Sequence, residues 1–314
     1  MLFLQQMNGL RRNEVAMKTL AGITVIYFLK ASKKKIISRS MKLQTHTIRY
    51  KQSLVHVSVF GSGPKWLFCF HGFGQDGNSF HVLEKSLGTD FTLIAIDFPF
   101  HGKTEWNEGL TMNPEDLLGI LAIIIHENNE SNDKPFVFSI LGYSLGGRVA
   151  LHLLQMIPTQ IERMVLLAPD GLKVNFWYWL GTQTWAGNKL FNYTMKRPQW
   201  FFSLLNLSSK GSLANKSVIK FVHKSIDDPA ERLMLYNRWT TMRLFKPNIA
   251  ALKHIIKQKK IPVRFLYGSY DRVILSKRNS LKKDSRNVTV TVVEGGHELI
   301  KEKFSTVIAS LFSQ

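Results

Sequence analysis

Leu141-Gly142-Tyr143-Ser144-Leu145-Gly146-Gly147-Arg148 is the stretch on which the reading of this chain turns. The residues before it, 135–140, are apolar and predict a buried strand, and residues 149–154 after it predict a helix. A serine caught between a strand and a helix must sit on a tight turn. Glycines two before and two after it let neighbouring backbone come close. Gly-x-Ser-x-Gly in that setting is a nucleophile elbow, which lifts the hydroxyl above a sheet and aims it at the N-terminus of the next helix. The bare pattern is weak, because glycine-rich loops are common. Its weight comes from the strand–turn–helix context and from further motifs in chain order.

Working outward, the same rhythm recurs. Residues 66–70 form a continuous apolar run, as in strands buried on both faces of a parallel sheet, and lead into His71-Gly72-Phe73-Gly74. Residues 91–96 lead into Asp97-Phe98-Pro99-Phe100-His101-Gly102-Lys103-Thr104. Residues 164–167 end in Ala168-Pro169-Asp170-Gly171, residues 263–267 in Gly268-Ser269-Tyr270-Asp271, and residues 287–293 in Glu294-Gly295-Gly296-His297. Helices are predicted over 79–87 and 114–128, the latter with Asn113 as cap. An opening hairpin over 43–50 and 54–60 precedes them. Strands alternating with helices imply an α/β fold with a doubly wound, mostly parallel sheet. Residues 171–250 break the rhythm: they are rich in aromatics and helical in pattern, notably over 230–244, and predict an inserted helical cap. The expected organisation is therefore an extension over 1–40, a core over 41–170 and 251–314, and a cap over 171–250.

The 314 residues carry a formal charge of +20, unevenly spread. Residues 1–51 hold 11 Lys/Arg against 1 acid, residues 52–170 hold 6 against 13, and residues 171–260 hold 16 against 3. The elbow thus lies in an acidic half between a basic tail and a basic insertion. Nucleic acid is the usual partner for such a balance, but the chain has no helix-turn-helix, zinc-finger or RNA-recognition motif, and no nucleic acid is expected. The apolar run 20–29 is shorter than a spanning helix needs and lacks a small-x-small cleavage site after it. A disordered extension is the plainer reading of 1–40, with peripheral contact with an anionic membrane as the alternative. Cys69, the one cysteine, lies in an apolar run and excludes an internal disulfide. A cytoplasmic protein is expected. Oligomeric state is not encoded in any motif.

A serine hydroxyl needs an adjacent base, and histidine suits. His297 follows the last strand in a glycine-rich loop. An acid must then orient the imidazole. Asp271 ends the penultimate strand on the same rim as Ser144, since the carboxyl ends of parallel strands meet there. Asp170 also ends a strand on that rim and is the competing acid. The backbone N–H groups of Leu145 and Phe73 are the candidate donors to an oxyanion. His71 and His101 sit in turns beside glycine and suggest structural hydrogen bonding. No spacing of His, Cys, Asp and Glu resembles a metal site, and the chemistry needs no cofactor.

Five of these motifs in order, those at residues 71–74, 97–103, 142–147, 268–271 and 296–297, resemble the α/β-hydrolase superfamily over about residues 50–170 and 260–314. The resemblance implies the fold and the Ser144, Asp271, His297 triad. A serine in the elbow argues against epoxide hydrolases and haloalkane dehalogenases and leaves esterases, lipases, thioesterases, carbon–carbon bond hydrolases and a few lyases. The implied substrate is a small acyl compound. Tyr143 to Arg148 also resembles the elbow of a menaquinone-pathway lyase, in which the matching Tyr and Arg face an anionic substrate; that implies Tyr143 and Arg148 at the substrate pocket, to which Gly72 is also assigned, while an ion pair on the outer or lower face of the following helix is the alternative for Arg148. Phe100 departs from the glycine usual in Asp-x-Pro-Gly-His-Gly. A receptor that uses the same pocket only to bind is the reading from a different class.

Overall fold

The computed structural model describes residues 45–128, 136–173, 176–203, 227–274, 279–281 and 286–313. The expected extension over 1–40 lies outside them. Among the described residues eight strands form one sheet: β1 (His46–Tyr50), β2 (Ser53–Phe60), β3 (Lys65–Phe70), β4 (Phe91–Ile96), β5 (Phe138–Tyr143), β6 (Ile161–Leu167), β7 (Val263–Gly268) and β8 (Val288–Val293). Their spatial order is β1-β2-β4-β3-β5-β6-β7-β8. The opening hairpin is antiparallel, β2 pairs antiparallel with β4, and every pair from β4 to β8 is parallel. Every residue of β4 and β5 is buried, which is why these strands read as unbroken apolar runs rather than alternating ones.

Among the described residues the α-helices are α1 (Glu84–Leu87), α2 (Pro114–Asn128), α3 (Leu145–Met156), α4 (Phe176–Gln183), α5 (Trp185–Lys196), α6 (Pro229–Thr241), α7 (Ile249–Lys259) and α8 (Glu302–Ser313). Helix α3 packs on β3, β5 and β6 and against α7, while α8 packs on β6 and α1. The stretch predicted as one helix over 79–87 is instead a 3₁₀ segment, Gly77–Leu83, running into the short α1. Asp97 holds the start of this segment. Its Oδ1 accepts the Gly77 N–H at 2.6 Å and anchors the segment start beside the β4 loop. At the start of α2 the Asn113 side chain does not cap. Asp116 reaches back and accepts the Asn113 N–H at 2.8 Å, one half of a capping box, with Pro114 as first helical residue.

Between β6 and α7 the chain forms α4, α5 and α6, which pack on one another. Asn188 on α5 joins them, donating to Thr240 Oγ1 and accepting from the Tyr236 hydroxyl on α6. This group meets the strand-end loops through backbone carbonyls. Arg243 donates to the Leu110 carbonyl at 2.8 Å, and the Met112 N–H donates to the Thr241 carbonyl at 3.0 Å.

The β5–α3 turn leaves no space for side chains. A Cβ at Gly142 would lie 2.8 Å from the Gly146 carbonyl oxygen, and one at Gly146 would overlap the Phe70 carbonyl at the end of β3. Gly146→Ala is therefore expected to destabilise the fold by ~3 kcal/mol or more, because rigid backbone rather than a movable side chain opposes the added methyl. Urea denaturation checks this, and an unchanged midpoint would contradict the packing described.

Candidate active site

Ser144 sits at the carboxyl end of β5 with φ 49° and ψ −112°. L-residues seldom adopt that conformation, and it persists only where surrounding structure enforces it. Here the enforcement is hydrogen bonding. The Ser144 N–H donates to the Leu167 carbonyl, and the Ser144 carbonyl accepts from the N–H groups of Gly147, Arg148 and Asp170. Helix α3 begins at Leu145 with no side-chain cap from Ser144, so the Ser144 hydroxyl is left for other partners.

Its partner is His297, whose Nε2 lies 3.0 Å from Ser144 Oγ. His297 Nδ1 lies 2.8 Å from Asp271 Oδ2. The other Asp271 oxygen accepts the N–H groups of Val273 at 2.8 Å and Ile274 at 2.9 Å. The carboxylate is fully buried and the imidazole side chain 22% exposed, so the line runs from the interior to the surface. Three strand-end loops separated by up to 153 positions meet here. The β7 and β8 loops are tied together directly: the Ser269 N–H donates to the Val293 carbonyl and the Tyr270 N–H to the Gly295 carbonyl. A Cβ at Gly268 would collide with the Gly295 and Gly296 carbonyls, which is the reason for glycine there.

Asp170, the competing acid, is turned elsewhere. It accepts its neighbour Gly171 N–H at 2.7 Å and lies 3.4 Å from Arg148 Nε. Arg148 is buried, and its guanidinium lies 4.4 Å from the centre of the Tyr178 ring on α4. Tyr143 is also buried. Its hydroxyl donates to the His297 carbonyl at 3.1 Å and its ring lies beside the imidazole. Burial first, and the nearby Glu298 and Asp271 charges next, raise its pKa, so the hydroxyl keeps the proton it donates. A Cβ at Gly72 would lie 2.7 Å from the Tyr143 ring. Of the residues assigned to the pocket from sequence, Tyr143 and Arg148 thus hold neighbouring loops and Gly72 makes room for Tyr143. The support that Tyr143 gives to the His297 loop had no local signature in the sequence.

Phe73 follows Gly72, and its side chain is exposed. Arg238 of α6 lies over the Phe73 ring and donates from Nε to the Phe100 carbonyl at 2.8 Å. Phe100 has φ 62°, the conformation that explains the glycine usual at this place. Beneath lie two buried histidines. His71 bonds the Gly72 carbonyl through Nδ1 and accepts the Phe98 N–H at Nε2, which fixes the neutral tautomer with the proton on Nδ1. His101 bonds the Pro99 carbonyl through Nδ1. Burial lowers the His71 pKa and drops that of His101 to about 2. Both therefore brace loops as neutral rings. Among the described residues no group of three or more His, Cys, Asp or Glu is arranged to hold a metal ion.

The family model described as the alpha/beta hydrolase fold matches residues 65–304, most of the chain. The chain belongs to the α/β-hydrolase fold family. Among curated proteins it is 32% identical over 114 residues to a pimeloyl-[acyl-carrier protein] methyl ester esterase of Vibrio parahaemolyticus, covering 36% of this chain and 40% of that one. It is 32% identical over 125 residues to lipase LipV of Mycobacterium tuberculosis, covering 38% and 45%. Those matches span less than half of either relative. A longer match, 24% identical over 243 residues, reaches the pimeloyl-[acyl-carrier protein] methyl ester esterase of Pseudoalteromonas atlantica and covers 74% of this chain and 86% of that one. Among solved structures, a thermophilic esterase of Thermogutta terrifontis superposes with a TM-score of 0.61 at 14% identity, covering 86% of this chain and 97% of that one. A meta-cleavage product hydrolase, CumD, superposes with a TM-score of 0.56 at 18% identity, covering 86% and 98%. At these identities the structural likeness speaks to the fold.

The neutral histidines set an acid limit on stability. The ordinary histidine value is 6.5 and His101 is held near 2, so below pH ~6.5 the unfolded chain takes up a proton that the folded chain refuses. His71 acts in the same direction. Their stabilisation is present above pH ~6.5 and declines as pH falls toward 2. Thermal melts across that window are expected to show a falling Tm, with a shallower slope in His101→Asn. An identical slope would contradict the assignment.

Proposed function

We propose that this chain is a serine hydrolase that cleaves a carboxylic ester or a related acyl bond through an acyl-enzyme. One observation carries the reading: the hydrogen-bonded line from Asp271 Oδ2 through His297 to Ser144 Oγ. Family membership and the esterase and lipase names of the relatives support it.

In this mechanism Ser144 Oγ attacks the acyl carbon while its proton passes to His297 Nε2. Asp271 holds the imidazole with its Nδ1 proton inward and stabilises the imidazolium. The carbonyl oxygen becomes an oxyanion held by the N–H groups of Leu145, which starts α3, and Phe73. Each such donor contributes ~3–4 kcal/mol to lowering the barrier. The tetrahedral intermediate collapses, and His297 returns the proton to the departing alkoxide. Water, deprotonated by His297, then attacks the acyl-enzyme by the same route and releases the carboxylic acid and free Ser144. No cofactor enters the cycle. Tyr143 is a positioning residue, since it touches the His297 carbonyl rather than the reacting atoms.

The lyase reading called for Tyr143 and Arg148 to face an anion, and the carbon–carbon hydrolase reading for an anionic substrate. Both side chains are engaged with His297, Asp170 and Tyr178, and an acyl ester is the better-supported substrate. A binding-only receptor is distinguished by turnover.

A fluorophosphonate probe is expected to label the folded protein at Ser144 and to leave Ser144→Ala unlabelled. That variant should keep its melting temperature while losing on the order of 10⁵-fold in kcat on p-nitrophenyl esters. Parent protein that neither labels nor turns over any such ester would refute the proposal. Tyr143→Phe removes a hydrogen bond worth on the order of 1 kcal/mol, so kcat should fall about fivefold with KM little changed. An unaltered kcat would remove the positioning role while leaving the triad intact.

A further inference from the structure

Residues 171–226 contain eight Lys/Arg and no Asp or Glu. Within them α4 and α5 expose an unusual amount of aromatic surface. Trp177 is 74% exposed, Trp185 73%, Phe176 59% and Tyr193 50%. A soluble monomer normally covers side chains of this size, and a contiguous exposed apolar patch marks a docking surface.

Helix α5 makes the logic explicit. Its inner side carries Asn188, Phe191, Thr194 and Met195, which are committed to α6 or buried. At ~100° per residue, Trp185, Lys189, Tyr193 and Lys196 fall in one stripe on the opposite side. All four are exposed, and Lys189 Nζ lies 3.9 Å from the Trp185 ring centre. Leu190, 53% exposed, borders the stripe. A helix with Lys among Trp, Tyr and Leu suits the boundary between lipid headgroups and acyl chains. Tryptophan and tyrosine prefer that depth, and lysine reaches the phosphates above it. The exposed aliphatic Leu190 suits acyl chains rather than stacked bases.

We propose that the outer face of α4 and α5 is a docking surface for an anionic lipid bilayer. The occupant is set by charge complementarity: α4 and α5 carry no Asp or Glu, and Lys189 and Lys196 of the exposed stripe meet a negatively charged headgroup layer. Docking is peripheral, since among the described residues no helix is long and apolar enough to cross a membrane. The surface is independent of Ser144, so its failure would leave the hydrolase reading untouched.

Flotation of the full chain with phosphatidylcholine vesicles, with and without phosphatidylglycerol, tests this. Binding is expected with phosphatidylglycerol only, accompanied by a blue shift in tryptophan emission. Trp185→Ser with Tyr193→Ser, and separately Lys189→Glu with Lys196→Glu, should each weaken binding about tenfold or more. The charge-reversed pair alters only exposed side chains and keeps the test decisive if the aromatic pair fails to fold. Absence of binding by the parent, or binding by both variants equal to the parent, would overturn the proposal. So would a parent dimer, seen by sedimentation, that either variant turns into monomer without any loss of lipid binding, because a second copy would then cover the face.

Discussion

The rest of the structure depends on one crowded turn. Ser144 is held with φ 49° because β5 must pass into α3 with almost no separation between strand, helix and the neighbouring β3 and β6 ends. The close approach of Gly146 to the Phe70 carbonyl, and of Gly147 to Pro169, lets α3 lie directly on the sheet. The Ser144 carbonyl then accepts three N–H groups from both sides of the turn, so the serine backbone has almost no freedom. Such strain is sustained only by surrounding hydrogen bonds and packing. Its consequence is a half-buried serine whose hydroxyl is held in a fixed place above buried strands.

Around that point the neighbouring loops are braced rather than merely adjacent. Asp271 cannot swing, because two N–H groups hold one of its oxygens while His297 takes the other. The backbone of His297 is steadied by Tyr143, the residue immediately before the serine. The elbow therefore positions both the hydroxyl and the imidazole beside it. On the other side of the turn, neutral His71 ties the Gly72 carbonyl to the Phe98 N–H and so fixes the loop carrying Phe73. Depressed histidine pKa values here are a cost of packing that keeps the loops rigid at neutral pH.

Helices α4 to α6 combine two faces with different chemistry. Toward the rim they and the 3₁₀ turn Met242–Leu244 after α6 offer Arg238 and Arg243 to backbone carbonyls at Phe100 and Leu110, and the aromatic rings of Trp239 and Tyr178 to Phe73 and Arg148. Away from the rim they present exposed tryptophans among lysines. The Arg238 bond falls on Phe100, a loop residue that holds a glycine-like conformation without being glycine. A guanidinium on that carbonyl helps stabilise the turn at a place where the backbone alone is unfavourable.

The sequence by itself determined the sheet, its strand ends, and Ser144 and His297 at the site, with Asp271 and Asp170 as the two acids on the same rim. Glycines at 142, 146, 147 and 268 are demanded by close backbone approach, and fully buried parallel strands demand unbroken apolar runs; both constraints are local and leave a readable pattern. Only the tertiary structure decided between Asp271 and Asp170, because both end strands on the same rim and differ only in which loop folds over them. It alone set Tyr143 against the His297 carbonyl and chose Asp170 as the ion-pair partner of Arg148. It also replaced the expected Asn113 cap by Asp116. In each case the partner is a backbone carbonyl, a backbone N–H or a side chain brought near by folding, and whether a polar side chain meets substrate or backbone depends on distances that no spacing along the chain encodes.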